Sequence, residues 1–140
     1  MKAGILSMNK LNGFIKEVTV SPYMALIQVE HMGDFFTAAI QETPVGAARF
    51  KKDIEVTLIF KETEVLLAKG LSGKISLRNR AFAFVKSIET AGVLTRVTLD
   101  YKGQRIASVI TTPGVIYLDI KVGDEIEWLI KANEVSLIGV

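Results

Sequence analysis

The first half of the chain reads as five short apolar-rich runs set apart by turn residues. They are "GFIKEVTV" (13–20), "MALIQVEH" (24–31), "DFFTAAIQ" (34–41), "IEVTLIF" (54–60) and "TEVLLA" (63–68). Each is enriched in β-branched and aromatic residues, and each partly alternates apolar with polar positions. A period of two marks strands with one buried face. Ser21-Pro22, Met32-Gly33-Asp34 and Lys61-Glu62 supply the breaks, residues that favour turns for steric and hydrogen-bonding reasons. The second half repeats the pattern as strands predicted over 82–89, 93–101, 104–110, 124–130 and 133–138, with turns at Ala91-Gly92, Lys102-Gly103-Gln104 and Val122-Gly123-Asp124. Between the third and fourth strands of each half lie "TPVGAARF" and "TPGVIYLD". Pro44 and Pro113 mark the start of a short helix or turn there.

The two halves are copies. Sliding the chain by 70 residues aligns 13 identical pairs, among them Ile5 with Ile75, Asn9 with Asn79, Phe14 with Phe84, Gly33 with Gly103, Lys61 with Lys131 and Glu64 with Glu134. Turn residues and charges match as well as core residues, so shared apolar content alone does not account for it. Five strands with a helical insert after the third is the order of an OB-like barrel. The expected fold is all-β: two tandem OB-like five-stranded barrels, a first domain over 1–70 and a second over 71–140. The break near Lys69-Gly70-Leu71-Ser72-Gly73 is short, so the barrels are expected to touch rather than swing freely.

Composition narrows the function. Hydrophobic residues make up 49% of the 140-residue chain, enough for a packed core and against disorder. A net charge of +2 is far from the balance of most nucleic-acid surfaces. No aromatic-and-basic face stands out either. With no cysteine and a single histidine, His31, there is no disulfide frame, thiolate metal site or histidine cluster. His31 itself reads as a surface turn residue. The start, MKAGILSMNK, lacks the apolar length of a secretion signal, and no apolar stretch is long enough to span a membrane. A cytoplasmic protein without catalytic constellation, cofactor or resident metal is the expectation.

The residues left over are donors. "SLRN" (76–79) sets a hydroxyl two positions before a guanidinium, just ahead of the first strand of copy 2. Ser76, Arg78 and free amides at a strand start form an oxyanion-binding set. Lys131 follows the fourth strand, in "IKANEV" (130–135), and Thr111 follows the third. Spacing alone also fits two ordinary exposed charges and a hydroxyl that merely begins a strand.

The motifs carry a resemblance. "SLRN", "RVTLDYKGQRIASVITT" (96–112) and "IKVGDEIEWLIKANEV" (120–135) are together similar to the signature of the molbindins, the Mop or TOBE domains that bind molybdate and tungstate. Copy 1 is a fainter version, with "FKETEV" (60–65) its clearest part. A chain of two such domains resembles the tandem, di-Mop type. The resemblance implies an oxyanion site drawn from Ser76, Arg78, Asn79, Thr111, Lys131 and Ala132, with Lys61 as the remnant in copy 1. It implies contributions from different domains or chains, a homo-oligomer (a trimer), and molybdate or tungstate as ligand. In copy 1 the matching positions are Leu6, Met8, Gln41 and Glu62. Copy 1 therefore lacks the Ser/Arg half of a site, its Glu62 is expected to repel a dianion, and Leu6 and Met8 are expected to pack between the domains. The expected function is storage or buffering of molybdate or tungstate, without direct nucleic-acid or membrane contact. The alternative is an oligomerising regulatory or interaction module, such as the ligand-sensing part of a molybdate-responsive regulator, with anion binding weak or lost.

Overall fold

From Met8 to Ile15 exposed and buried side chains alternate without a break, as an amphipathic strand requires. This is the start of β1 (Met8–Val20), in a computed structural model that describes residues 7–139. β2 (Met24–His31), β3 (Asp34–Gln41), helix α1 (Pro44–Ala47), β4 (Glu55–Lys61) and β5 (Leu66–Ala68) complete copy 1. Copy 2 runs β6 (Asn79–Ala91), β7 (Leu94–Tyr101), β8 (Gln104–Thr111), α2 (Thr112–Leu118), β9 (Glu125–Ile130) and β10 (Ser136–Ile138). The protein is all-β, two OB-like five-stranded sheets in tandem, each with a helical insert after its third strand.

Two boundaries differ from the sequence reading. The first strands begin earlier, at Met8 and Asn79, because they pair along the whole of β4 and β9. The last strands begin later. Residues Glu62–Glu64 and Ala132–Glu134 wind into single 3-10 turns instead of extending, closed by Val65 N–H to Glu62 O and Val135 N–H to Ala132 O.

Those turns send each last strand to the other copy. The sheet orders are β10-β4-β1-β2-β3 and β5-β9-β6-β7-β8. Leu67 of β5 sits opposite Trp128 of β9, and Leu137 of β10 opposite Leu58 of β4. Each copy thus covers an open sheet edge of the other, and the contact expected between barrels becomes an exchange of strands.

The core is continuous across the copies. Trp128 lies between the rings of Phe36 and Phe60, with centroids 5.4 and 5.7 Å away, and meets the edge of Tyr101 at 5.3 Å. Two asparagines at repeat-related positions bolt the copies together. The Asn79 amide accepts from Thr37 N–H at 2.8 Å and donates to Thr37 O at 2.7 Å. Asn9 does the same with Ala107, at 2.8 and 2.9 Å. Each side chain imitates one rung of a ladder where no strand pair exists, and so pairs the N–H and C=O of Thr37 and of Ala107.

His31 is not a surface turn residue. It closes β2 facing inward, 6% exposed, and its Nδ1–H donates to Asn12 O at 2.6 Å. Its ring lies 5.6 Å from that of Tyr101. The Tyr101 hydroxyl donates to Asp34, whose carboxylate also takes Lys102 Nζ at 3.0 Å. Burial, reinforced by the Asp34 hydrogen bond and charge, pushes the Tyr101 phenol well above its usual range. A folded-state value above the unfolded one gives stability that is complete below about pH 10 and is lost as pH rises. Unfolding free energy should therefore fall above about pH 10, by up to about 1.4 kcal/mol per pH unit for this phenol. Denaturant titrations across that range should show a shallower fall in Tyr101→Phe. Equal slopes in parent and variant would contradict the assignment.

Candidate oxyanion-binding site

Residues 76–78 approach β6 without regular structure, which leaves their backbone amides outside any ladder. The Asn79 bolt then fixes the start of the strand against copy 1. Across from it, β9 ends and the Ala132–Glu134 turn packs against β3. Together these elements line an open groove of about 780 Å³ with Ser76, Arg78, Asn79, Lys131 and Ala132. Thr37 and Ala39 of copy 1 form part of the wall, together with Leu26.

Ser76, Arg78 and Lys131 are exposed. Among the described residues neither Arg78 nor Lys131 forms an ion pair. The first amides of the 3-10 turn, at Ala132 and Asn133, precede its internal bonds and have no carbonyl inside it. In copy 1 the matching amide, that of Glu62, donates to Ser7 O at 3.3 Å. Glu64 and Glu134 also line the groove. Two cations and two carboxylates leave no net charge there, so bulk electrostatic attraction is weak and the groove's chemistry lies in its hydrogen-bond donors.

Not every residue expected at the site stands in it. Asn79 borders the groove, but its amide is engaged by Thr37 on both sides. That pairing fixes the chain one residue after Arg78. Thr111 lies in a neighbouring groove with Gly114, Tyr117 and Leu118. Its hydroxyl caps α2 by accepting Gly114 N–H at 3.2 Å. The counterpart of that cap in copy 1 is Thr43, which accepts Gly46 N–H at 3.1 Å, and not Gln41, because the repeat slips by two residues at the helix. Lys61 heads the other 3-10 turn, which packs against β8, and does not line this groove.

Copy 1 departs from the sequence reading at Glu62. Its carboxylate does not face an incoming anion as a repulsive charge. It is 1% exposed and turned inward onto two guanidinium groups of copy 2, Arg96 Nε at 2.7 Å and Arg105 Nη1 at 3.3 Å. Met8 does not pack between the copies but stays partly exposed opposite Lys61. Leu6 lies outside the described residues. Sequence reasoning missed Arg96 and the wall residues of copy 1. An arginine inside the apolar run "LTRVTLD" (94–100) was the available signal for the first.

The family model for the TOBE domain matches residues 75–137. The chain belongs to the molbindin family of Mop/TOBE domains, in its tandem form. It superposes on the cytoplasmic molybdate-binding protein ModG, whose structure holds molybdate, with a TM-score of 0.84 and 29% identity over 98% of each chain. A molybdate-binding protein from Sporomusa ovata is 37% identical over 48% of this chain and all of its own, with a TM-score of 0.47. Among curated proteins, the molybdenum import ATP-binding protein ModC of Brucella abortus is 30% identical over 125 residues, 89% of this chain. The chain spans 34% of that relative's length. No helix among the described residues is long and apolar enough to cross a membrane.

Proposed function

We propose that this chain binds tetrahedral oxyanions, molybdate or tungstate, and stores or buffers them in the cytoplasm. The observation that carries this reading is the convergence on one groove of Ser76 and Arg78 with Lys131 and Ala132, 53 or more residues further along the chain. The likeness to ModG over nearly the whole chain supports it, since that protein binds molybdate. Arg78 offers a planar fork for two oxygens, Lys131 a point charge, Ser76 a hydroxyl and the Ala132 turn an amide. Each hydrogen bond to a charged partner is worth roughly 1.5–3 kcal/mol net. Three or four of them, less the cost of immobilising the anion, support micromolar affinity, about −8 kcal/mol. The reading involves no catalytic step.

The proposal includes a homo-oligomer, a trimer. Mean hydropathy is +0.35, and Phe82, Phe84, Ile116 and Tyr117 are each more than half exposed, which fits a surface that partner copies cover. Thr111, placed away from Arg78 within one chain, could then reach an anion site only from another copy.

A second reading is a regulatory or interaction module with weak anion binding. The two groove carboxylates favour it, and so do relatives in which the matching stretch is about a third of a larger transporter subunit. Calorimetric titration of the whole chain with molybdate, tungstate and sulfate separates the two, with light scattering on the same sample. Micromolar binding of molybdate or tungstate by an oligomer is expected. A folded protein that takes up none of the three would leave the second reading in place.

A further inference from the structure

The 70-residue repeat gives the open groove a counterpart. Leu26, which lines the groove, corresponds to Arg96. Ala132 corresponds to Glu62 and Lys131 to Lys61. Where the first groove is open, the second is filled. The Glu62 side chain enters it from the 3-10 turn and is held by Arg96 and Arg105. Arg96 is itself 8% exposed, and its Nη2 has no hydrogen-bond partner among the described residues. Arg105 is half exposed and keeps its other donors in water, so what remains unmatched in a buried place is the Arg96 Nη2 donor. A buried, unpaired guanidinium nitrogen is costly unless something completes it.

We propose that this counterpart is a built anion site whose ligand is the chain's own Glu62 carboxylate, and that a small external carboxylate or oxyanion occupies it once Glu62 is withdrawn. The donors come from β7 and β8 of copy 2, and the tethered ligand comes from copy 1. The same contact therefore closes the second groove and fastens the copies together. Tethering makes Glu62 an intramolecular competitor present at high effective concentration, so no free anion displaces it from the parent. Glu62→Ala removes the competitor and leaves a space with the outline of a carboxylate.

The test is thermal unfolding of the whole chain with Glu62→Ala and Glu62→Gln, in sodium formate and in sodium chloride at equal ionic strength. Loss of one partner from a buried ion pair should lower the Tm of Glu62→Ala by roughly 10 °C or more. Formate should recover a large part of that loss in Glu62→Ala, where the space is open. It should recover none in Glu62→Gln, where the amide fills it, or in the parent. If Glu62→Ala fails to fold in chloride, recovery of folded protein in formate is the expected result. Formate acting no better than chloride on the stability or folded yield of Glu62→Ala would overturn the proposal. So would equal formate stabilisation of Glu62→Gln. A parent that binds no molybdate would remove the function proposed for the open groove and leave this result unaffected.

Discussion

Trp128→Ala is expected to lower the unfolding free energy by about 3–5 kcal/mol, the largest single effect anticipated for this chain. The indole is fully buried. Its removal takes apolar area from the core and opens a cavity that does not close readily, since its own strand β9 is held by pairing with β5 on one side and β6 on the other. Two of the three rings around it, Phe36 and Phe60, belong to copy 1, while Trp128 and Tyr101 belong to copy 2. The loss should therefore reach both copies. Denaturant unfolding should show one transition in the parent and one transition, at lower denaturant, in the variant. A loss below about 1 kcal/mol, or a variant in which half the signal unfolds at the parent's midpoint, would mean that the copies have separate cores.

Arg78→Ala should weaken molybdate binding by roughly 30- to 700-fold, the equivalent of about 2–4 kcal/mol, from the loss of one bidentate, charge-assisted contact. The fold should be unaffected. Arg78 is exposed and unpaired among the described residues, and exposed charges contribute little to stability. Arg78→Lys should recover only part of the affinity, because an ammonium cannot hold two oxygens in one plane. Calorimetry on the folded variants checks both points. Unchanged binding in Arg78→Ala would take the guanidinium out of the site.

Much of this was legible in the sequence for identifiable reasons. Strand alternation and turn residues at Met32-Gly33 and Lys102-Gly103 placed the hairpins. At both turns the two residues have positive φ, which the two-residue hairpin geometry favours and which glycine supplies readily. Pro44 and Pro113 marked the helical inserts correctly, because proline is tolerated in a first helical turn. The exchange of β5 and β10 was not legible. Strand propensity says which residues extend, not which edge they join, and either edge would have satisfied the same three residues.

The site divides along the same line. Ser76, Arg78 and Lys131 announced themselves as donors, the family resemblance added Ala132, and the groove assembles them through pairing of β6 with β9. Thr111 did not join them, because a hydroxyl directly before a helix is taken by the helix amides. Glu62 was visible as a departure, but its direction was not. A carboxylate in an exposed-looking "KETE" segment turns inward only because Arg96 and Arg105, on strands more than thirty residues away, are there to receive it. Sequence distance hides such a pairing.

In the proposed function the Ser76–Arg78 segment and the Lys131–Ala132 turn hold one oxyanion between them. A crystal of the whole chain soaked in tungstate tests this most directly, since tungsten dominates the scattering at its site. A strong peak is expected in contact with the Arg78 guanidinium, the Ser76 hydroxyl and the Lys131–Ala132 turn, and none beside the Glu62 carboxylate. A tungsten peak bound by other residues, with these four turned away from it, would contradict it.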